Sequence, residues 1–507
     1  MSHLPHLVVF DTDRIQEFVF ATTTLKEIRG ASGLLDELNR LETLKLIAAT
    51  SGSTVYLGGG SGLVRFSHPA SAQGFCRKLE ALYRDEAPGA SITTRWEPRR
   101  DGEKAREWLA RAERHLRRRK DERGRPPPLV RLPYLQVCDL CGCQPAYGPR
   151  PRDPTRLVCS ACLTRLQGGH SYKHSLVYQR LEDILGTDLV RWPEDMEEIG
   201  QASRPSGYAG LIYADGNRMG LKRQEFLDRH SGDDEALFRA LGDFSRALDV
   251  ATRGAVVQAV HQHLGGAQAG TVYPVQFFIT GGDDLAAVVP AHLAVPVALD
   301  FCRFFQELFL NGGQVGKEEI PCTGLEASMS VGVAIAKDRF PLHRLLATGR
   351  ELLKSAKVLN RELYGQGLGE VATLDFLVTS APLLEPLEEQ RRALEEDGLR
   401  RYQRPYTREA LERLVKRIRR LKDSGFPRNK VPDLATFLFQ GRLQACLDYL
   451  VLLSRLSKEG DPSPRQALLE TAHDFNLMPF PWREVSGRLG EYETPMLDLV
   501  ELYDFIR

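Results

Sequence analysis

A chain of 507 residues is too long for one ordinary domain and has room for about three or four modules. With 42% hydrophobic and 27% charged residues, its composition is that of a soluble globular protein. The formal net charge of +1 provides no global field toward nucleic acid or membrane, so basic clusters must be judged locally.

The opening residues Met1-Ser2-His3-Leu4-Pro5-His6 lack a basic stretch followed by a long apolar run, so no signal peptide is expected. No apolar segment approaches the ~20 residues of a membrane span. Five of the nine cysteines fall in one short stretch, which fits a metal site in a reducing compartment better than a disulfide framework. A cytoplasmic protein without a membrane partner is expected.

Leu7-Val8-Val9-Phe10 reads as a buried strand ending at Asp11, and Ile15, Phe18 and Val19 as one face of a helix. Arg29-Gly30-Ala31-Ser32-Gly33 is expected to interrupt that helix before a second one carrying Leu34, Leu35 and Leu38. Small residues ahead of a helix leave room for phosphate oxygens at its N-terminal amides, although the local sequence by itself favours a plain helix–helix turn. Two strands, Thr54–Leu57 and Leu63–Phe66, then flank the turn Gly58-Gly59-Gly60-Ser61-Gly62. From Trp96 to Arg131 the chain is strongly basic, with Arg117-Arg118-Arg119-Lys120. Interspersed Glu103, Glu107, Glu113, Asp121 and Glu122 favour a solvated helix over an RNA-binding one. Pro126-Pro127-Pro128 marks a domain edge.

Cys138-Asp139-Leu140-Cys141 and Cys159-Ser160-Ala161-Cys162 form two C-x₂-C knuckles at the spacing of a zinc ribbon. Four thiolates suit tetrahedral Zn²⁺ and close a small, loop-rich module. Cys143 is an alternative to Cys141 as a ligand, less favoured by the paired spacing.

Beyond a Pro-rich passage, Leu211-Ile212-Tyr213-Ala214-Asp215 is a second strand ending in Asp, followed by the turn Gly216-Asn217-Arg218-Met219-Gly220. A helix with Leu237, Leu241, Phe244 and Leu248 on one face reads as a core stripe. Next comes Phe277-Phe278-Ile279-Thr280-Gly281-Gly282-Asp283-Asp284-Leu285-Ala286, a β-hairpin with two carboxylates at its tip. Adjacent aspartates repel each other unless a cation lies between them, and Mg²⁺ there would bring substrate phosphates. An acidic surface turn is the plainer alternative. Ala327 to Ile335 is another buried strand, and Pro341 opens a helix carrying Lys354 and Lys357.

The succession strand–Asp–helix–helix–hairpin thus occurs twice, near 7–66 and 211–289, as expected for duplicated modules. Only the second hairpin carries carboxylates; the first has Gly60-Ser61 in their place. In a small antiparallel sheet Asp215 would lie beside the hairpin, giving three carboxylates, the minimum for one or two Mg²⁺ or Mn²⁺ ions in phosphoryl or nucleotidyl transfer. Lys357 or Lys354 would balance triphosphate charge. From about residue 376 the chain becomes charged and Leu-rich, with an apolar stripe Leu411, Leu414, Val415, Ile418 and Leu421 ended by Gly425 and Pro427. A helical packing or docking domain is expected there.

Gly281-Gly282-Asp283-Asp284, the turn Asp215 to Gly220, Ser330-Val331-Gly332-Val333, the pair Ala356-Lys357 and the segment Arg14 to Leu35 together resemble the large-subunit family of type III CRISPR effector complexes, the Csm and Cmr polymerase-cyclase proteins. The resemblance implies an α+β chain: two ferredoxin-like palm domains, a zinc-ribbon insertion and an α-helical C-terminal domain. The boundaries expected are 1–130 for a first palm without the acidic turn, 131–200 for the four-cysteine insertion and linker, 201–375 for the second palm, and 376–507 for the helical domain.

The implied activity is a nucleotidyltransferase that converts ATP into cyclic oligoadenylate messengers in antiviral defence. Asp215, Asp283 and Asp284 would be the metal-binding catalytic residues. Gly281, Gly282, Ser32, Gly33 and Lys357 would hold nucleotide, and Cys138, Cys141, Cys159 and Cys162 a structural Zn²⁺. The implied partners are guide or target RNA and other effector subunits; the alternative is a catalytically weak scaffold binding ATP and RNA. Two departures from the family stand out. The chain starts at the first palm strand without a His-Asp nuclease domain, its only His-Asp pair being His473-Asp474. Asn217 also stands where an aspartate is common.

Overall fold

The computed structural model describes residues 5–22, 24–123, 135–142, 144–151, 153–167, 175–186, 190–230, 232–266, 270–380, 386–456, 463–478, 480–485 and 487–507. The triple proline and Cys143 lie outside the described residues. The strands, in chain order, are β1 (His6–Asp13), β2 (Ser53–Gly58), β3 (Ser61–Phe66), β4 (Ser91–Pro98), β5 (Gly148–Arg150), β6 (Asp153–Val158), β7 (Tyr208–Gly216), β8 (Gln276–Gly281), β9 (Asp284–Pro290), β10 (Gly313–Val315), β11 (Glu318–Ile320), β12 (Met329–Lys337) and β13 (Thr373–Thr379). Further two-residue strands follow in the C-terminal part. The chain packs as two discontinuous units: Met1–Asp195 with Arg218–Ala286 and Arg303–Ala327, and Met196–Asn217 with Ala287–Cys302 and Ser328–Arg507.

In the first unit an antiparallel sheet has the order β2-β3-β1-β4, with β1 central. Leu7 to Phe10 are buried because the central strand is covered, and Phe75 of the helix Pro69–Glu86 packs its ring, tilted, against Phe10 and Phe66 at 5.8 and 5.5 Å. The basic helix Ala105–Arg123 departs from the solvated helix expected of its charge pattern. Trp108, Leu109, Ala112 and Leu116 are buried, and Trp108 donates to the Glu97 carbonyl of β4 at 3.1 Å. Its cations serve the sheet: Arg111 bonds Glu97 and Glu103, and Lys120 bonds Asp11 at 2.5 Å and Asp13 at 3.1 Å. Mixed charge reads as solvated only when the acids and bases pair within the helix, and here many pair with strands.

A second correction concerns Arg29 to Gly33. The helix Leu25–Glu37 runs through them without interruption, so Ser32 and Gly33 are mid-helix and offer no N-terminal amides. Buried Leu25, Ile28, Ala31 and Leu35 keep the helix in place, and Arg29 donates to Gln276 of β8 at 2.8 Å. Gly30 and Gly33 cost about 1 kcal/mol each in helix propensity, which such packing outweighs.

In the second unit the sheet order is Tyr406–Thr407, β13, β12, β7, β9. β12 is antiparallel to β7 and parallel to β13, and all residues of β12 except Lys337 are buried. The helix Leu342–Gly365, opened by Pro341, covers this sheet with Leu345, Leu346, Leu352 and Leu353. The C-terminal part holds the helix Arg408–Asp423, whose stripe Leu411, Leu414, Val415, Ile418 and Leu421 is buried, and, among the described residues, four later α-helices. It also carries a small four-stranded sheet that its leucine-rich sequence does not announce. A buried polar cluster ties it to β13: Arg404 pairs with Asp498 and Glu501, Tyr406 donates to Asp498, and Glu501 accepts from the Val378 amide at 2.6 Å. Asp474 pairs with Arg417 at 2.6 Å while His473 is exposed, so the His-Asp pair is structural. Among the described residues no helix is long and apolar enough to cross a membrane.

Candidate functional site

The acidic turn joins β8 to β9 in the first unit. Gly282 has φ +61, and its N–H donates to Asp249 Oδ1 at 3.1 Å, so the helix Asp234–Leu264 holds the turn from behind. Facing it is the turn between β2 and β3, with Gly59 at φ +58 and Gly60 at φ +83. A Cβ on Gly59 would lie 3.2 Å from both the Cα and the N of Gly282. The two hairpin tips therefore meet backbone to backbone: a Cβ on Gly59 would crowd Gly282, and Gly282 itself is held at a positive φ that favours glycine. Glycine is required at both tips, whereas carboxylates occupy only one.

Beside this junction is a cavity of ≈ 120 Å³, lined among others by Ser32, Asp36, Gly58, Gly281 and Asp284. Gly282, Asp283 and Gly33 do not line it. Ser32 reaches it from inside its helix, by the face it presents rather than by a free helix end. The cavity also touches Asp249 and Arg253, on the helix whose sequence shows most plainly a core stripe of Leu237, Leu241, Phe244 and Leu248. Leu237, Leu241 and Phe244 are indeed core, but Asp249 and Arg253 form an i,i+4 pair at 2.5 Å on another face of that helix. Burial opposes the charge of Arg253, yet Asp249 and Asp36 hold its pKa above the ordinary value. Burial pushes the Asp36 carboxyl up, opposed by Arg253 and Arg40. An i,i+4 Asp-Arg pair among apolar neighbours was the signal available in the sequence.

Asp215 and Lys357 belong to the second unit. Asp215, near the end of β7, accepts a hydrogen bond from Lys357 Nζ of the helix Leu342–Gly365. The next-but-one residue, Asn217, is buried at 3% exposure and fully used: its Nδ2 donates to Ser328 Oγ at 3.0 Å, and its Oδ1 accepts from Ser330 Oγ at 2.7 Å. An aspartate there could not donate to Ser328 and would bring a charge into a buried position. Asn217 is thus a clamp between β7 and β12.

In the insertion, the hairpin β5–β6 and the helix Ser160–Gln167 bring Cys138, Cys141, Cys159 and Cys162 together, with their sulfur atoms all within 4.8 Å of one another. Three of the four are buried. Cys141 is the largest cause that raises the thiol pKa of Cys159, to about 11, and it also heads the causes that raise Cys162. Crowded thiolates repel, and a cation in their midst removes the penalty, so the donor set fits a thiophilic tetrahedral ion. The cluster is braced on the first sheet's helices: Arg150 pairs with Glu27 at 3.3 Å, and Arg165 lies 4.4 Å over the Phe18 ring.

Among known proteins, the family model described as the second palm domain of Cas10/Cmr2 matches residues 208–363. No curated protein sequence matches the chain. Among solved structures, Csm1 of T. onnurineus is similar over 100% of this chain and 70% of its own, with a TM-score of 0.56 and 15% identity. A chain of the Csm1-Csm4 cassette in complex with cA3 is similar over 99% of this chain and 70% of its own, with a TM-score of 0.54 and 16% identity. The cassette with one ATP gives the same coverage, TM-score and identity. In another structure of the cassette the match covers 81% of this chain and 57% of that chain. At such identities the likeness is one of fold. The matched span contains β7, the acidic hairpin, β12 and the part of the helix that bears Lys357, so this stretch of the chain is similar to the second palm domain of Cas10/Cmr2.

Proposed function

We propose that the chain is a nucleotidyltransferase of a type III CRISPR effector complex that joins ATP into linear or cyclic oligoadenylates. The observation that carries this reading is the acidic turn of a Cas10/Cmr2 palm, set backbone to backbone against a glycine turn beside a cavity lined by Ser32 and Asp284. Asp215, Asp283 and Asp284 supply the hard oxygen ligands that suit Mg²⁺ or Mn²⁺, which when bound would polarise the α-phosphate and offset charge on the leaving pyrophosphate. The 3′-oxygen of one nucleotide forms a bond to the α-phosphorus of the next, and pyrophosphate leaves with the electrons of the broken P–O bond. Gly281 and Gly282 give a nucleotide close access to the backbone, Ser32 contacts a second ATP, and Lys357 transfers its hydrogen bond from Asp215 to a phosphate. Cys138, Cys141, Cys159 and Cys162 hold Zn²⁺ as a structural ion.

The test is mass spectrometry of products from the purified protein with each of the four ribonucleoside triphosphates and Mg²⁺ or Mn²⁺. Pyrophosphate and oligoadenylates from ATP are expected. No product above background, or equal product from an Asp283→Ala/Asp284→Ala variant, rejects the reading.

A second reading, a scaffold subunit that binds ATP and RNA without turnover, is favoured by Asn217, whose amide serves the sheet and cannot act as a further carboxylate. Calorimetric ATP binding without product, in the presence of target RNA and partner subunits, selects it.

A further inference from the structure

Next to the cavity lies a larger groove of ≈ 530 Å³ in the same unit, between the edge strand β2 and the helix Asp234–Leu264. The two spaces share Arg40, Leu57, Leu176, Asp249 and Arg253 as lining residues, so the groove opens from the cavity. Its width is set by Gly242, where a Cβ would stand 2.7 Å from the Val55 carbonyl oxygen. The helix therefore touches β2 at one point and leaves open space around the contact.

Arg239, Arg246 and Arg253 all line the groove, seven residues apart along one helix. Seven residues are close to two turns, so the three guanidinium groups share a face at intervals of about 10 Å. Most charge in the groove is already neutralised. Arg65 bonds Glu235 at 2.7 Å, Arg253 bonds Asp249 at 2.5 Å, and Glu318 is held by Arg180 at 2.9 Å. What is left over is cationic: Arg239 and Arg246 are exposed and have no ion pair among the described residues, against the single carboxylate of Asp243. A core stripe explains neither arginine, and among the described residues neither is ion-paired with a neighbour on its helix, Glu235 being held by Arg65.

We propose that this groove binds the phosphates of a short linear oligonucleotide with a 5′-triphosphate, the growing product of the neighbouring cavity, with Arg246 and Arg239 as successive phosphate contacts leading outward from Arg253. The inference rests on the proposed nucleotidyltransferase reading and adds a product track to it. Guanidinium groups suit this role, since they bind phosphate through two parallel N–H bonds and stay charged at any working pH. A row of them along a helix accepts a chain of phosphates without regard to the bases.

The probe is a linear triadenylate carrying a 5′-triphosphate, titrated into the full chain beside ATP at several salt concentrations. In the Arg239→Ala/Arg246→Ala variant, affinity for the triadenylate falls about tenfold, and the slope of log K against log salt becomes shallower by about 1.4, two contacts at ~0.7 each. Its ATP affinity stays within about twofold of the parent. An Arg114→Ala/Arg117→Ala variant, which loses the same charge from exposed positions on the helix Ala105–Arg123, keeps the parent affinity for both. Unchanged triadenylate binding in the first variant overturns the groove while leaving the proposed function standing, as does an equal loss of ATP. Tighter binding of a long RNA strand than of triadenylate, dependent on the same two arginines, also overturns it and assigns the groove to RNA. A parent protein that binds neither ATP nor triadenylate sinks both readings.

Discussion

In the first palm-like sheet, the aspartates ending the opening strand, Asp11 and Asp13, are held by Lys120 from the helix Ala105–Arg123. In the second palm, Asp215 at the end of β7 is held by Lys357 from the helix Leu342–Gly365. The strand order around each opening strand also matches, with hairpin strand β3 and closing strand β4 flanking β1, and β9 and β12 flanking β7. An aspartate on the opening strand with a lysine from the closing helix is therefore a feature of the scaffold, present whether or not the hairpin carries carboxylates. What separates the two copies is the turn: Gly59-Gly60-Ser61 in one, Gly282-Asp283-Asp284 in the other. The comparison moves the weight of the functional argument from the strand aspartate to the hairpin pair.

The sharpest way to break that comparison is to remove the carboxylates of each copy in turn. Asp283→Ala/Asp284→Ala should lower pyrophosphate release at least ~100-fold, since the pair would bind the ions that the transfer needs. Asp11→Ala/Asp13→Ala should leave release within about twofold and cost about 1 kcal/mol of stability, a small figure because the Lys120 pair is partly exposed. Equal losses of activity in both variants would erase the distinction drawn between the palms.

Next in size is the cysteine cluster, which has no counterpart among the described residues of the second unit. Cys159→Ser, or a strong chelator, should release one equivalent of metal and destabilise the first unit by several kcal/mol, since binding energy at such a site is folding energy. The readouts are metal analysis and the first unit's hydrogen exchange. No metal in the purified parent protein would remove the basis for this expectation.

Asn217→Asp asks whether the second palm would gain from an extra carboxylate. It should cost about 3 kcal/mol by leaving Ser328 without its donor and burying a charge, with no gain in turnover. A stable and faster variant would show that Asn217 limits catalysis, contrary to its role as a clamp.

The smallest effect concerns acid. His292, in the second unit, is 8% exposed and accepts from the Arg204 amide, and burial, with Arg507 and Arg204 nearby, lowers its pKa from 6.5 to about 4. Protonation therefore favours the unfolded chain: this stability is present above pH 6.5 and is lost as pH falls from 6.5 toward 4. Denaturant titrations should show stability falling across that window, and the fall should be flattened in His292→Gln. An unchanged acid limb in that variant would mean the loss arises elsewhere.

Much of this was legible in the chain itself. Two apolar strands ending in Asp, two glycine hairpins and two C-x₂-C knuckles are local patterns, and each depends on short-range chemistry: alternation, turn geometry, ligand spacing. The duplicated architecture, the four-cysteine cluster and the helical stripe from Leu411 to Leu421 follow from them. The breaks expected at Gly30 to Gly33 failed because helix continuity there is decided by Gln276 and the buried stripe, not by local propensity. The basic helix was misjudged for a related reason, its partners lying on strands more than ten residues away in sequence.

Sequence alone thus determined which residue types could do chemistry, since a metal or phosphate site needs carboxylates, thiolates or glycine turns that no packing can supply. Only the tertiary structure decided their setting. It set Gly59 against Gly282, turned Asn217 into a clamp, and aimed Asp249 and the arginines of its helix at the turn and the groove, because contacts between distant segments leave no periodicity to read.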